Sequence, residues 1–463
     1  MLLFVGILMV YLIGAGILTR ISQAWSWKEL IASSFLIGIA AETFFMFVFD
    51  IIGFPFSYYA LFFAGFAVIV LCYDSMYSYW QAKRKDINLG SWSLKTANYP
   101  AVILGLAIFY MLYLITQKNL FWPTTEHDAI GSFDKLGIVM ALEGRIKISL
   151  FQWGLEGAGG VYPPLFHGGI AYLYLYGAAQ PKIITTLYFV SLLLGFYAIL
   201  SRYVTTITAL FFTLLLEMVP EMFSHAALLL GNLPTTAYVG LASLTLFVWI
   251  QSKEQRYFVL SCILTGLSLW IRNDTIGFAL AGTLIIAAFV QSADKWKKAA
   301  IYFGSGILPF ILWTLYLKLK IHSTQGARFV DHVGFDTAKM KLMLGYVLSY
   351  FTWIQVGNMP PGIQLYGLSF MLVFLIVALN AKNLTKDKPY ILIFFLASFA
   401  VYFGIFYLLD ESKQNAPMSS LMESSFKRGM FCFIPALFYY AATSQVMQRL
   451  SAWLERFRTS KPA

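Results

Sequence analysis

Long apolar runs without a single charge dominate this chain and leave few folds open to it. From Thr96 to Gln117, for example, there is no Asp, Glu, Lys or Arg. A run of about 18 residues or more is long enough to cross the hydrocarbon core of a bilayer as one helix. In lipid the backbone must satisfy its own hydrogen bonds. Helices do this within one segment, whereas barrel strands would be short and alternating. Of the 463 residues, 59% are hydrophobic and 12% charged, about half the charged share of a soluble domain. The mean hydropathy is +0.71. The expectation is an all-α polytopic membrane protein.

About thirteen spans are expected. They lie near Leu2–Leu18, Leu30–Phe49, Phe56–Tyr77, Ala97–Gln117, Ile183–Leu200, Tyr203–Val219 and Thr235–Ile250. Further along they lie near Tyr257–Ile271, Thr275–Val290, Ala299–Leu317, Gln364–Leu379, Tyr390–Leu409 and Gly429–Val446. Gly169–Tyr176 is apolar but too short to count. The first segment has neither a basic n-region nor an evident small-x-small cleavage site, and is read as a helix.

Nineteen of the 33 Lys and Arg residues fall in the short connections on one side and in the C-terminal tail. That bias marks the cytosolic side, with the N-terminus outside and the C-terminus inside. The net charge of +11 is then a basic fringe facing anionic lipid and calls for no nucleic acid. The expected organisation is one transmembrane domain, 1–463, with extra N-terminal helices in 1–95. Outer loops are expected at 118–182, 318–363 and 410–428, the first carrying an interfacial helix over Ile130–Ile146.

Chemistry gathers on the outer side. "TTEHDAIGSF" places Glu126, His127 and Asp128 just past a span, with Asp134 immediately after the stretch. Short outer turns carry "VPEMFSHAALLLGNLP", with His225, and "WIRNDT", with Arg272 and Asp274. Lys427 and Arg428 immediately precede the last span. Cys72, Cys262 and Cys432 lie within spans and make no disulfide or metal framework. The glycines of "EGAGG" (Gly157, Gly159, Gly160) follow no strand and give no nucleotide loop. The five histidines, among them His167, His322 and His332, show no ligand spacing, so no cofactor is implied and no divalent metal is indicated.

The order of these features resembles the GT-C superfamily of membrane glycosyltransferases, in particular protein O-mannosyltransferases and aminoarabinose transferases. There an acidic residue follows a membrane helix at the head of the first large exoplasmic loop. Interfacial helices and a Pro-Pro-Leu element come after it. Asp128, the Ile130–Ile146 helix and "YPPL" at Tyr162–Leu165 occupy those places, and the resemblance covers roughly Ala97 to Val290. Three helices precede the equivalent of the family's first. "EHD" replaces a paired-acid motif, and Tyr162 stands where the aminoarabinose transferases have lysine. The resemblance implies transfer of a sugar from a polyprenyl-phosphate donor to a glycan, lipid or protein acceptor, with Asp128 as the catalytic residue, in a bacterial plasma membrane.

Chemistry alone leads to similar roles. An acceptor hydroxyl needs a base, and a carboxylate at the membrane edge can serve. Glu126 and His127 are placed to assist, Asp134 and His225 are further expected contacts, and the resemblance adds Tyr162 to them. A departing phosphate needs cations, for which Lys427 and Arg428 come first and Arg272 second. Each residue also has an ordinary reading. Asp128 and Asp134 can be solvated loop acids, Lys427 and Arg428 an interfacial anchor, and Arg272 and Asp274 a pair at a helix end. Glu42, in mid-span, is expected to be protonated or paired inside the bundle. The competing functions are a transporter or lipid-linked oligosaccharide flippase, and an O-antigen polymerase or ligase.

Overall fold

The computed structural model describes residues 1–84, 99–155, 162–322, 334–414 and 416–459. Lys85, Lys95, Gly157, Gly159, Gly160, His332 and Lys461 lie outside the described residues. Helices α1 (Leu2–Ile21), α2 (Trp27–Ile51) and α3 (Tyr58–Lys83) pack together at the N-terminal side. Gly14 and Gly38 permit the crossing of α1 and α2. A Cβ on Gly14 would overlap the Ser34 carbonyl, and one on Gly38 the Val10 carbonyl. Small residues join helices in this way in lipid, where burying apolar surface supplies no net drive. Ser26 and Glu29 start α2 with a reciprocal capping box.

Helix α4 (Tyr99–Phe121) ends at Trp122–Pro123, because proline lacks an N–H and disfavours helix at the residue before it. A π-helical turn, Ala129–Phe133, leads into α5 (Asp134–Glu143), followed by the single turn α6 (Ser149–Gln152). The expected interfacial helix over Ile130–Ile146 is therefore shorter and two-part. Gly144, at φ 62°, caps it in the left-handed conformation open to glycine. The short apolar segment near Gly169 proves to be a buried helix, α7 (Leu165–Leu175), packed on α2 and α5.

Helix α8 (Ile183–Leu200) crosses the bundle, and α9 (Thr206–Glu217) bends by 74° into α10 (Pro220–Ala226). Pro220 sits in the first turn of α10 and stops α9. The next helix, α11 (Asn232–Ser252), is the hub: the whole of its apolar window is buried, against 11% for α4. Being apolar all round, it needs neighbours on every side. Its hydroxyls fold back on its own carbonyls, Thr235 onto Gly231 at 2.7 Å and Thr245 onto Leu241 at 2.7 Å. Helices α12 (Gln255–Leu269) and α13 (Ile276–Phe289) pack beside it, and α14 (Lys295–Tyr316) packs on those two.

The last third comprises α15 (Thr337–Phe351), α16 (Gly362–Tyr366), α17 (Ser369–Leu379) and α18 (Pro389–Tyr407). Three short pieces follow, α19 (Glu411–Gln414), α20 (Met418–Leu421) and α21 (Lys427–Met430), and then α22 (Ile434–Thr443) and α23 (Gln445–Thr459). Among the described residues, 8 helices are long and apolar enough to cross a membrane, or up to 10 if each of two bent pairs is one span. The count of thirteen is not reached on this measure. Helix α9 has 12 residues, α13 has 14 and α17 has 11. At ~1.5 Å per residue each is well short of the ~30 Å hydrocarbon core.

Polar residues collect at the two ends of α8. At its C-terminal end Arg202 meets Glu254 at 2.7 Å and Glu29 at 3.4 Å. At its N-terminal end Asn119, fully buried, donates to Thr185, Thr186 and the Ala226 carbonyl. That joins the ends of α4, α8 and α10 into one floor.

Candidate functional site

On this floor three segments from distant parts of the sequence converge. The loop after α4 brings Glu126, His127 and Asp128, α10 brings Glu221, Ser224 and His225, and α21 brings Lys427 and Arg428. Leu228 and Leu230 form the apolar wall of the cleft, whose volume is about 260 Å³. Asp128 and Arg428, 300 residues apart, meet at 2.5 Å between Oδ2 and a terminal guanidinium nitrogen. Both are accessible, at 49% and 30% of their side chains. Lys427 stands 3.8 Å from Glu221, whose carboxylate also lies 3.5 Å from His225 Nε2.

Two atoms in the cleft have no hydrogen-bond partner among the described residues, Glu126 Oε2 and His225 Nδ1. A buried acceptor or donor left so is costly unless water or a ligand meets it. The other oxygen of Glu126 lies 4.0 Å from Lys182 Nζ, which also donates to the Pro123 carbonyl at 3.3 Å. Lys182 is buried, and that burial pulls its ammonium below the ordinary lysine value against the pull of Glu126.

Both halves of the Asp128–Arg428 pair adjoin π-helical turns. Asp128 caps the turn Ala129–Phe133, and Lys427 caps the turn Met422–Phe426 at its far end. Such turns widen a helix by one residue, shift the side chains that follow, and are frequent at functional sites.

Three residues expected at the site lie elsewhere. Asp134 accepts from Tyr174 at 2.6 Å outside the cleft, and burial raises its carboxyl above the usual aspartate range. Arg272 is forked onto Asp274, at 3.1 and 2.5 Å, and lies 5.3 Å above the Tyr162 ring. Arg272 and Asp274 line a separate cavity of about 20 Å³ with Tyr402 and Gly429, room for roughly one water. Arg272 and Asp274 are thus paired with each other at a helix end. Glu42 is buried in α2 and has no hydrogen-bond partner among the described residues.

Sequence reasoning missed Glu221, Ser224 and Lys182. Glu221 and His225 are four apart behind a proline, which stacks them on one helix face, so that signal was readable. Lys182 gave none, because only the fold shows that it is covered. Compared with protein-family models, curated proteins and solved structures, the chain matches none.

Proposed function

We propose that this chain is a GT-C-type glycosyltransferase that moves a sugar from a polyprenyl-phosphate carrier to an acceptor on the exoplasmic face. The observation that supports the reading is the meeting of Asp128 with Arg428, beside Lys427, in one cleft at the end of the helix bundle. A lipid-borne phosphate sits at headgroup level, where such a cleft meets it. A phosphate that engages the Arg428 guanidinium in a bidentate contact competes with Asp128 for it and releases the carboxylate. Asp128 then takes the proton of the acceptor hydroxyl. The hydroxyl oxygen bonds to the anomeric carbon, and the bond from that carbon to the phosphate oxygen breaks. The negative charge left on the phosphate is met by Arg428 and Lys427.

The transport reading draws on Glu42, Glu217 and His167, buried and without hydrogen-bond partners among the described residues, the kind of group that marks ion pathways in membranes. The ionisable residues otherwise concentrate at the bundle ends, and the sequence shows no repeated halves. The deciding experiment is transfer by the purified protein from a polyprenyl-phosphate sugar in detergent or nanodiscs. Product formation that Asp128→Asn abolishes supports the proposal. Substrate movement across vesicles without bond cleavage overturns it.

A further inference from the structure

We infer that Tyr350, Tyr366 and Tyr402 are positioning residues for Arg428: their hydroxyls hold the π-helical turn that aims its guanidinium at Asp128. The inference rests on the proposed function for its consequence, though not for its geometry. The turn Met422–Phe426 is closed by Lys427 N–H donating to the Met422 carbonyl, one residue further than in an α-helix. Register so shifted is unfavourable without support from outside the helix, and here the support is visible. Tyr350 donates to the Met422 carbonyl at 2.7 Å, Tyr402 to the Phe426 carbonyl at 3.0 Å, and Tyr366 to the Lys427 carbonyl. These donors come from α15, α18 and α16, so three separate elements clamp six residues of backbone. A fourth tyrosine, Tyr346, donates to the Glu423 carboxylate at 2.7 Å.

The sequence fits the clamp at one further point. A Cβ at Gly429 would overlap the Tyr402 hydroxyl. Glycine after Lys427–Arg428 is thus what lets the Tyr402 hydroxyl reach the carbonyl two peptides before Arg428. Return the turn to α-helical register and every residue after it rotates by about 100°, which carries Arg428 off Asp128. The three tyrosines are buried and are not among the residues that line the cleft. Their effect passes through the backbone of 422–428.

The test uses the full-length protein and removes single oxygen atoms, by Tyr366→Phe, Tyr402→Phe and the double variant. Tyr238→Phe is the control, since its buried hydroxyl donates at 2.7 Å to the Leu36 carbonyl, away from this turn. The probe is a polyprenyl phosphate in detergent micelles, with thermal unfolding measured in parallel. The clamp variants are expected to bind it at least ~10-fold more weakly, about 1.4 kcal/mol. The control is expected to lose similar thermal stability and keep its affinity within about twofold, on the same scale. Unchanged affinity in the double variant, or an equal loss in the control, overturns the inference.

A second readout needs no ligand. Asp128→Cys with Arg428→Cys, in a background with Cys72, Cys262 and Cys432 replaced by alanine, is treated with a short bifunctional thiol reagent. Cross-linking that the two tyrosine substitutions slow severalfold supports the clamp, and cross-linking at an unchanged rate contradicts it. If the native protein does not bind the phosphate while cross-linking still depends on the tyrosines, the functional reading falls and the clamp stands.

Discussion

At the scale of single residues, magnitudes separate a working pair from a structural one. Asp128 and Arg428 are 49% and 30% exposed, and ion pairs so accessible contribute about 0–1 kcal/mol to stability. Arg428→Ala should therefore cost less than ~1 kcal/mol in thermal unfolding. The same change should weaken polyprenyl-phosphate binding and slow transfer, and Arg428→Lys should recover only part of both, since charge returns without the fork. Loss of folding with unchanged binding would make Arg428 an anchor. Asp128→Asn keeps the side chain's size and removes its basicity, so turnover should fall at least ~100-fold. Full turnover in a folded Asp128→Asn protein would remove it from the mechanism. Both residues could be named in the sequence because each lies a few positions from the end of an apolar run. That they touch could not be read, because 300 residues of chain lie between them.

At the scale of elements, the long apolar runs were the legible part, while the helix ends carry local signals. Pro123 ends α4, Pro220 opens α10, and Ser26 with Glu29 opens α2. The π-helical turn before Lys427 left no mark, since the hydroxyls that meet its carbonyls come from other helices. Short spans such as α17 were over-read because apolar composition does not reveal where a helix breaks inside an apolar run. Helix packing offers its own contrast between two glycines. Gly38→Ala would push a methyl into the Val10 carbonyl and should destabilise by at least ~1–3 kcal/mol. Gly105, in α4, has nothing near its missing side chain, and Gly105→Ala should be neutral or stabilising by up to ~1 kcal/mol. Thermal unfolding of the two variants in one detergent decides. Equal effects would mean that α1 and α2 do not cross as described.

For the whole molecule, composition carried the class, because it is a sum that local errors do not disturb, and the Lys and Arg distribution leads to an expected orientation. The orientation expects Lys118–Lys182 and Asp410–Lys427 outside, with Lys295–Lys298 and the C-terminus in the cytosol. In intact cells a membrane-impermeant thiol reagent should label Lys147→Cys, an exposed position in the first outer loop, and should reach Lys297→Cys only after permeabilisation. The reverse pattern would put the cleft on the cytosolic face and exclude an exoplasmic donor. The most direct test of the central claim is an experimental structure of the protein with a polyprenyl-phosphate sugar bound. The account predicts phosphate oxygens within hydrogen-bond distance of the Arg428 guanidinium, with Lys427 beside them and Asp128 drawn off Arg428 toward the sugar. A phosphate held elsewhere, with Asp128 and Arg428 still paired, would contradict it.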